Sequence, residues 1–349
     1  VYIGTGRLES YIGGSINDRT VDNSDEVYIN SIKFTADSDI DTETLFGNTV
    51  EVTYIKTSEN DKRIIYLENA ESTSDILEIS TDETDSFDAA AYRIIYSKDA
   101  DEKTKRNADL SKGAVIVYNG EVSEKRLSEI IKDFTDGNRY GSIKLIKTAG
   151  GGYDLCIVKS YENFVISTVN TDENVYYGKA YSMTELRLND YERVNVFDSS
   201  GNSVSFPTAK DSLVAIAVSE NKAYIEAVSC LNTVSGKVSV AKTNENRVTI
   251  DNVEYELANQ CASENKVDSL LNITIKATLD LNGKIAVIIH QPTDDYKFAY
   301  LAKAVAKYDP FGSKPILKLY LPDSVELKDF EFADKTVIDS VSYKSDEIE

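Results

Sequence analysis

One histidine, three cysteines and 59 acidic residues are the side chains through which this chain could do chemistry. His290, in "VIIHQPTDD", follows an apolar run and precedes Pro292. A histidine-based triad needs an activated nucleophile within hydrogen-bond reach, and no G-x-S-x-G or comparable stretch supplies one. A strand-end histidine is the expectation. Cys156 in "YDLCIVKS" and Cys230 in "IEAVSC" lie in apolar strand contexts, where a buried, unreactive thiol is expected. With Cys261 they form neither a disulfide framework nor a paired metal spacing. Asp37, Asp39, Asp41 and Glu43, in "DSDIDTET", alternate like the first oxygen ligands of a calcium loop. The glycine at the sixth position and the acid at the twelfth are missing, so the stretch reads as a solvated loop. "TAGGGYD" is glycine-rich but joins two strand-like runs, which makes it a hairpin rather than a phosphate loop. Two carboxylates could cleave a glycosidic bond without histidine, yet Trp is absent and strings of small β-modules seldom build a deep cleft. No catalytic, cofactor-binding or metal residue is assigned, and the chain is read as non-enzymatic.

The elements that would position any site are mostly strands. Tyr, Thr, Val, Ile and Ser are abundant, which is strand-forming composition. Runs such as "EVYINSIKF", "NTVEVTYIK", "RIIYLEN", "AVIVYNG", "DLCIVKS" and "LVAIAVS" recur with turn chemistry between them. Strands at this spacing without intervening helices predict small antiparallel barrels or sandwiches. In "SEKRLSEIIKDF", Leu127, Ile130, Ile131 and Phe134 fall at helical spacing and predict one short amphipathic helix near 123–134. "DEKTKRNADL" is a weaker helical candidate without an apolar stripe. A net charge of −21 repels phosphate backbones and anionic lipid, which argues against nucleic-acid and membrane-surface roles. It also suits divalent cations, structural calcium among them, although no motif specifies a site. No run approaches the roughly 20 apolar residues that a spanning helix needs.

An internal repeat is the most informative feature. Gly6 and Leu8 are followed by Val27, Ile29, Asn30 and Phe34; Gly236 and Val238 are followed by Val248, Ile250, Asp251 and Tyr255. Val50 and Val52, then Lys62 to Ile65, are matched with Ile273 and Ile275, then Lys284 to Val287. The pattern is a five-strand unit of about 55 to 60 residues that would close into an SH3-like or OB-like barrel. The fold class expected is all-β: tandem small barrel or sandwich modules with one short helical insertion. The expected division is an N-terminal barrel-containing module over 1–107, a central β-domain with the helix near 123–134 over 108–231, and a C-terminal barrel module plus extra strands over 232–349.

"SGKVSVAKTNENRVTIDNVEYEL" resembles the G-x-V-x…V-T-I-D-x-x-x-Y-x-L units of large secreted clostridial-type surface proteins that carry S-layer homology domains elsewhere. "KGAVIVYNGEV" with "GSIKLIKTAGGGYDLCIVKSYENFVISTVN" is similar to a second block of those proteins, and "VFDSSGNSVSF" and "LDLNGKIAVI" resemble their D-x-x-G-K hairpins. The similarity covers most of residues 1–290. It departs from the pattern around Ala149 to Gly152 and includes no S-layer homology domain. The resemblance implies a surface-exposed, non-catalytic array of β-modules downstream or upstream of an anchor, and the expected function is that of an extracellular structural protein of a Gram-positive cell surface, associated with the S-layer or cell envelope; edge-to-edge self-assembly is a further expectation, from exposed strand edges. The protein's partners would be itself or cell-wall polymers. Alternatives are an adhesin-like module binding wall polysaccharide or a host ligand through its 22 tyrosines, and a phage tail or baseplate component.

Overall fold

The computed structural model describes the chain except at residues 59, 73–74, 99–103, 138, 148–150, 180–182, 291–298, 310–311, 321–326, 332–334, 339–340 and 345–349. It is 56% strand and 9% helical, an all-β fold with a short helical insertion. By contacts the chain divides once, into Val1–His290 and Gln291–Glu349.

The repeat is two barrels. In the first, Tyr2–Tyr11 pairs with Glu26–Ile29 on one side and Thr49–Lys56 on the other. Ile32–Thr35 follows the second strand, and Thr35 meets Arg63 of Lys62–Asn69 in parallel, which closes the barrel. The second uses Thr233–Lys242, Arg247–Ile250, Val253–Glu256, Thr274–Leu279 and Ile285–His290. A parallel bridge from Leu257 to Ile285 closes it in the same order. Third strand beside fifth, and fourth beside first, is Greek-key closure, the OB-like of the two alternatives. Leu8 faces Ile29 and Val238 faces Ile250, each just before a bulge. The turns Asn30-Ser31 and Asp251-Asn252 have φ of 44° and 63°, and of 49° and 66°, the left-handed pair of a two-residue hairpin. A Cβ on Gly6 would lie 2.7 Å from the Asn30 side chain, and one on Gly236 would lie 2.7 Å from Ile250. The repeated glycine is therefore the space into which the turn folds back.

Register corrects the sequence alignment of the two units. Gly6 pairs with Val50 and Gly236 with Ile275, so Val50 corresponds to Ile275, two residues beyond the match read from sequence. A slip of two keeps every side chain on its face, which is why alternation could not detect it. The parallel bridges equate Arg63-Ile64 with Lys284-Ile285, one residue from the expected match.

Between the barrels lies a 12-stranded sheet. Its spine is the 18-residue strand Tyr153–Asn170, which pairs in parallel with Arg106–Tyr118 and antiparallel with Tyr140–Ile146, Val175–Gly178 and Leu213–Val218. Arg193–Asp198 pairs in parallel with Tyr224–Cys230. These parallel pairs depart from the expected antiparallel modules. The crossover that permits the first contains helix α1 (Leu127–Thr135), whose Leu127, Ile130, Ile131 and Phe134 are buried as the spacing predicts. The "DEKTKRNADL" candidate is instead strand over Arg106–Leu110, because Ala108 and Leu110 alternate into the core; its residues 101–103 lie outside the described residues. Strands Ile76–Ser80, Thr84–Asp88 and Arg93–Tyr96 belong to this sheet, and the first barrel sheet ends at Asn69. Helix α2 (Asn259–Glu264) lies between the third and fourth strands of the second barrel.

The second unit contains the antiparallel sheet of Tyr300–Asp309, Gly312–Tyr320 and Lys328–Glu331, and the hairpin of Lys335–Ile338 with Val341–Lys344.

Asn119 and Gly120 form the two-residue turn between Arg106–Tyr118 and Glu121–Val122, with φ of 49° and 88°. A Cβ on Gly120 would sit 2.4 Å from the Gly13 carbonyl oxygen of the first barrel. Gly120→Ala is expected to cost roughly 3 kcal/mol in urea denaturation. Gly113→Ala, whose Cβ would meet nothing within 4 Å, should stay within about 0.5 kcal/mol of the parent.

Candidate functional site

Two of the hairpins singled out by sequence share one local design. Asp198 Oδ1 accepts the backbone N–H groups of Ser200 at 2.8 Å and Asn202 at 3.0 Å; Asp280 Oδ1 accepts those of Asn282 at 3.0 Å and Lys284 at 2.9 Å. Gly201 and Gly283 take φ of 82° and 77° in the same place. Their surroundings differ. The hydrogen bonds from Asn202 and Ser200 hold the Asp198 carboxyl below the usual carboxylate range. Asp280 is only 5% exposed, and burial raises its pKa against the opposing hydrogen bonds from Asn163, Lys284 and Asn282.

What buries Asp280 is the central sheet. Tyr140 Oη donates to Asn163 Oδ1 at 2.7 Å, and Asn163 Nδ2 donates to Asp280 Oδ2 at 3.1 Å. Burial raises the pKa of the Tyr140 hydroxyl well above its ordinary value. The loop between the fourth and fifth barrel strands is thereby tied to the central sheet by a chain of two buried side-chain hydrogen bonds. A second tie joins Asn259 Nδ2 of α2 to the Asp136 carbonyl beyond α1 at 3.0 Å.

Between these ties lies a cavity of about 440 Å³, lined by Tyr140, Asn163 and Asp280, by the 81–85 turn, by the end of α1 and by the start of α2. A neighbouring hollow of about 410 Å³ shares Asp82, Glu256, Asn282 and Lys284 with it and continues along Arg247, Glu254 and Tyr255. This is the size range and the inter-module position at which small ligands are bound. The two bases on the wall of the first cavity are engaged: Arg139 with Glu162 at 2.8 Å and Lys284 with Glu256 at 2.7 Å. Exposed Asp82 and Asp136 stand at the rim.

At the first barrel the same spine strand carries a different cluster. Lys159 pairs with Glu226, and Tyr161 donates to the same carboxylate, with Glu43 3.9 Å from the ammonium. Burial alone would raise the Glu226 pKa, but the Lys159 charge and the hydrogen bonds from Lys159 and Tyr161 outweigh it and hold the carboxyl low. Burial likewise opposes the charge on Lys159, and Tyr11, Glu226, Tyr161 and Glu43 outweigh that, keeping the amine protonated. A buried ion pair of this kind is stable only while both partners remain.

The residues weighed in the sequence fall as follows. Cys156, Cys230 and Cys261 are free and buried, their thiol pKa values pushed up to about 12 by burial. The backbone of His290 pairs with Ile275 at a strand end, as expected. Asp37 pairs with Arg63 at 2.5 Å, and Asp41 accepts the Thr44 backbone N–H at 3.0 Å in a local turn. Among the described residues no group of three His, Cys, Asp or Glu side chains is placed to hold a metal ion. "TAGGGYD" joins the antiparallel arms Tyr140–Ile146 and Tyr153–Asn170, with Thr148, Ala149 and Gly150 outside the described residues. Asp280, Asn163 and Tyr140 were missed by sequence reasoning. Asp280 sits in the same D-x-x-G turn as Asp198, and the turn carries no sign of which copy will be buried.

Comparison of the chain with protein-family models, curated proteins and solved structures returned no match.

Two substitutions test the buried groups. Asp280→Ala leaves Asn163 Nδ2 and two backbone N–H groups unpartnered and should cost roughly 3 kcal/mol in urea denaturation, well beyond the effect of Asp198→Ala. For Glu226 the folded pKa lies below the ordinary 4.5, so its stabilisation is present above that pH and is lost as pH falls through the folded value. Glu226→Gln should be roughly 3 kcal/mol less stable than the parent at pH 7, and acid titration should narrow that gap progressively below pH 4.5.

Proposed function

We propose that this chain is a non-catalytic structural protein of a Gram-positive bacterial cell surface, extracellular and wall- or S-layer-associated, which spaces or presents β-modules. The observation that carries this reading is the welding of two repeated barrels to one central sheet, so that residues 1–290 form a single body. The order of hairpin motifs that resembles clostridial-type surface proteins supports it independently.

Spacing fits better than edge-to-edge assembly. Barrel closure removes free strand edges. Of the central sheet, the outer strand Arg193–Asp198 is met by an antiparallel bridge from Phe197 to Ser203 and by the Val204 N–H bonded to the Val196 carbonyl at 2.9 Å. Asn195 Nδ2 of that strand bonds the Ile12 carbonyl of the first barrel at 3.3 Å. The Thr84–Asp88 strand is five residues long and carries Asp85 and Asp88, both devices that discourage pairing with another chain.

Protease treatment of intact cells of the source organism tests the proposal, with the chain followed by mass spectrometry. Its peptides should appear in the shaved fraction while a cytosolic enzyme stays protected; recovery of the whole chain from the protected cytosolic fraction would contradict it.

A further inference from the structure

The dipeptide Asn-Gly occurs twice in the chain, at Asn119-Gly120 and at Asn282-Gly283. It is the pair at which an asparagine amide is most readily lost, because glycine has no Cβ to shield its backbone nitrogen from the preceding side chain. Both pairs lie in hairpin turns, with their glycines at φ of 88° and 77°. Their surroundings are opposite.

At the first pair the side chain is locked. Asn119 is 4% exposed, its amide is held by the backbone of Ser160 and Val218, and a Cβ on Gly120 would strike the Gly13 carbonyl. Turning that amide toward the Gly120 nitrogen would break hydrogen bonds that lie away from water. At the second pair the side chain is free. Asn282 and Gly283 are exposed, the Asn282 side chain has no hydrogen-bond partner among the described residues, and a Cβ on Gly283 would meet nothing within 4 Å. The Gly283 N–H is donated to the Asp280 carbonyl at 3.0 Å, a single bond at an exposed loop tip, where local opening costs least.

We infer that Asn282 is a site of spontaneous deamidation, and that its conversion loosens the tie between the second barrel and the central sheet. The Gly283 nitrogen attacks the Asn282 amide carbon, and a new C–N bond forms as the bond to Nδ2 breaks. The Gly283 proton passes through solvent to the leaving nitrogen, which departs as ammonia. Solvent water then opens the cyclic imide at either carbonyl. One opening gives aspartate; the other gives isoaspartate, in which the main chain runs through the side-chain carbons and is one atom longer.

The position of this turn gives the change its reach. The N–H groups of Asn282 and Lys284, on either side of Gly283, both donate to Asp280 Oδ1 at 3.0 and 2.9 Å, while Asp280 Oδ2 accepts from Asn163 of the central sheet at 3.1 Å. A longer main chain between the two donors draws them off their shared oxygen. Either product also adds a carboxylate to a cavity wall that already carries Asp82, Asp136, Glu256 and Asp280, and like charges at close quarters disfavour the ionised forms.

The test is to incubate the full chain in mildly alkaline buffer at physiological temperature and to follow Asn119 and Asn282 by peptide mass spectrometry, with a parallel sample in urea. In the folded protein Asn282 should convert at least roughly tenfold faster than Asn119, which reacts only after opening; in urea the two should convert at similar rates. The converted protein, separated by anion exchange, should unfold at a lower urea concentration than fresh protein, whereas Asn282→Gln carried through the same incubation should keep its midpoint. Absence of conversion at Asn282, equal conversion of both asparagines in the folded chain, or a preference for Asn282 that persists unchanged in urea would each overturn the inference. So would a converted protein with the midpoint of fresh protein, or the same loss of stability in incubated Asn282→Gln.

Discussion

The buried side chain of Asn119 is the constraint on which the arrangement of the first 290 residues depends. Its Oδ1 accepts the Ser160 backbone N–H at 2.7 Å, and its Nδ2 donates to the carbonyls of Ser160 at 3.1 Å and Val218 at 2.8 Å. One amide thus spans three elements: the hairpin turn that it forms itself, the spine strand and the Leu213–Val218 strand. The next residue, Gly120, accepts the Ser15 backbone N–H at 2.8 Å and so brings in the first barrel. Asn suits this position twice over, because it tolerates the left-handed backbone of the turn and carries both a donor and an acceptor. A buried amide with all its partners in place rigidifies; with one partner missing it would cost more than an apolar residue.

The spine strand then distributes what Asn119 positions. Successive residues point to opposite faces, so Cys156 and Val158 enter the core over α1, while Leu155 and Ile157 pack on the first barrel. Farther along, Tyr161 and Val165 pack with the second barrel, and Phe164 and Ile166 enter the core over the Tyr224–Cys230 strand. Each barrel meets this strand through polar contacts as well as apolar ones: the Lys159–Glu226 cluster at the first and the Tyr140–Asn163–Asp280 chain at the second. Apolar packing supplies most of the stabilisation, but it is tolerant of small shifts. Hydrogen-bonded groups away from water are not, which makes these contacts the devices that set where each barrel sits.

Much of this was legible in the sequence. Period-two alternation identifies the strands, helical spacing locates α1, and the recurrence of a glycine, V-x-I-[DN] and an aromatic identifies two copies of one barrel. What alternation could not supply was register, since Val50 matches Ile275 as well as Ile273 on the grounds of facing alone. Nor could it reveal the 12-stranded sheet, because parallel pairing between Arg106–Tyr118 and Tyr153–Asn170 is a long-range choice that local propensity does not encode. The buried Asp280 contact was hidden for the same reason. Asp198 and Asp280 are chemically the same turn, and only docking of the second barrel against Tyr140 and Asn163 separates a solvent-facing carboxylate from a buried one.

The central claim is that the two barrels and the sheet between them are one cooperative body. Native-state hydrogen exchange of the full chain tests it most directly, by comparing the amides of Leu8 and Val50, of Val158, and of Val238 and Ile275. The account predicts one common opening free energy for all three sets, with equal sensitivity to denaturant. Separate opening energies for the barrels, with the central amides protected after a barrel has exchanged, would contradict it.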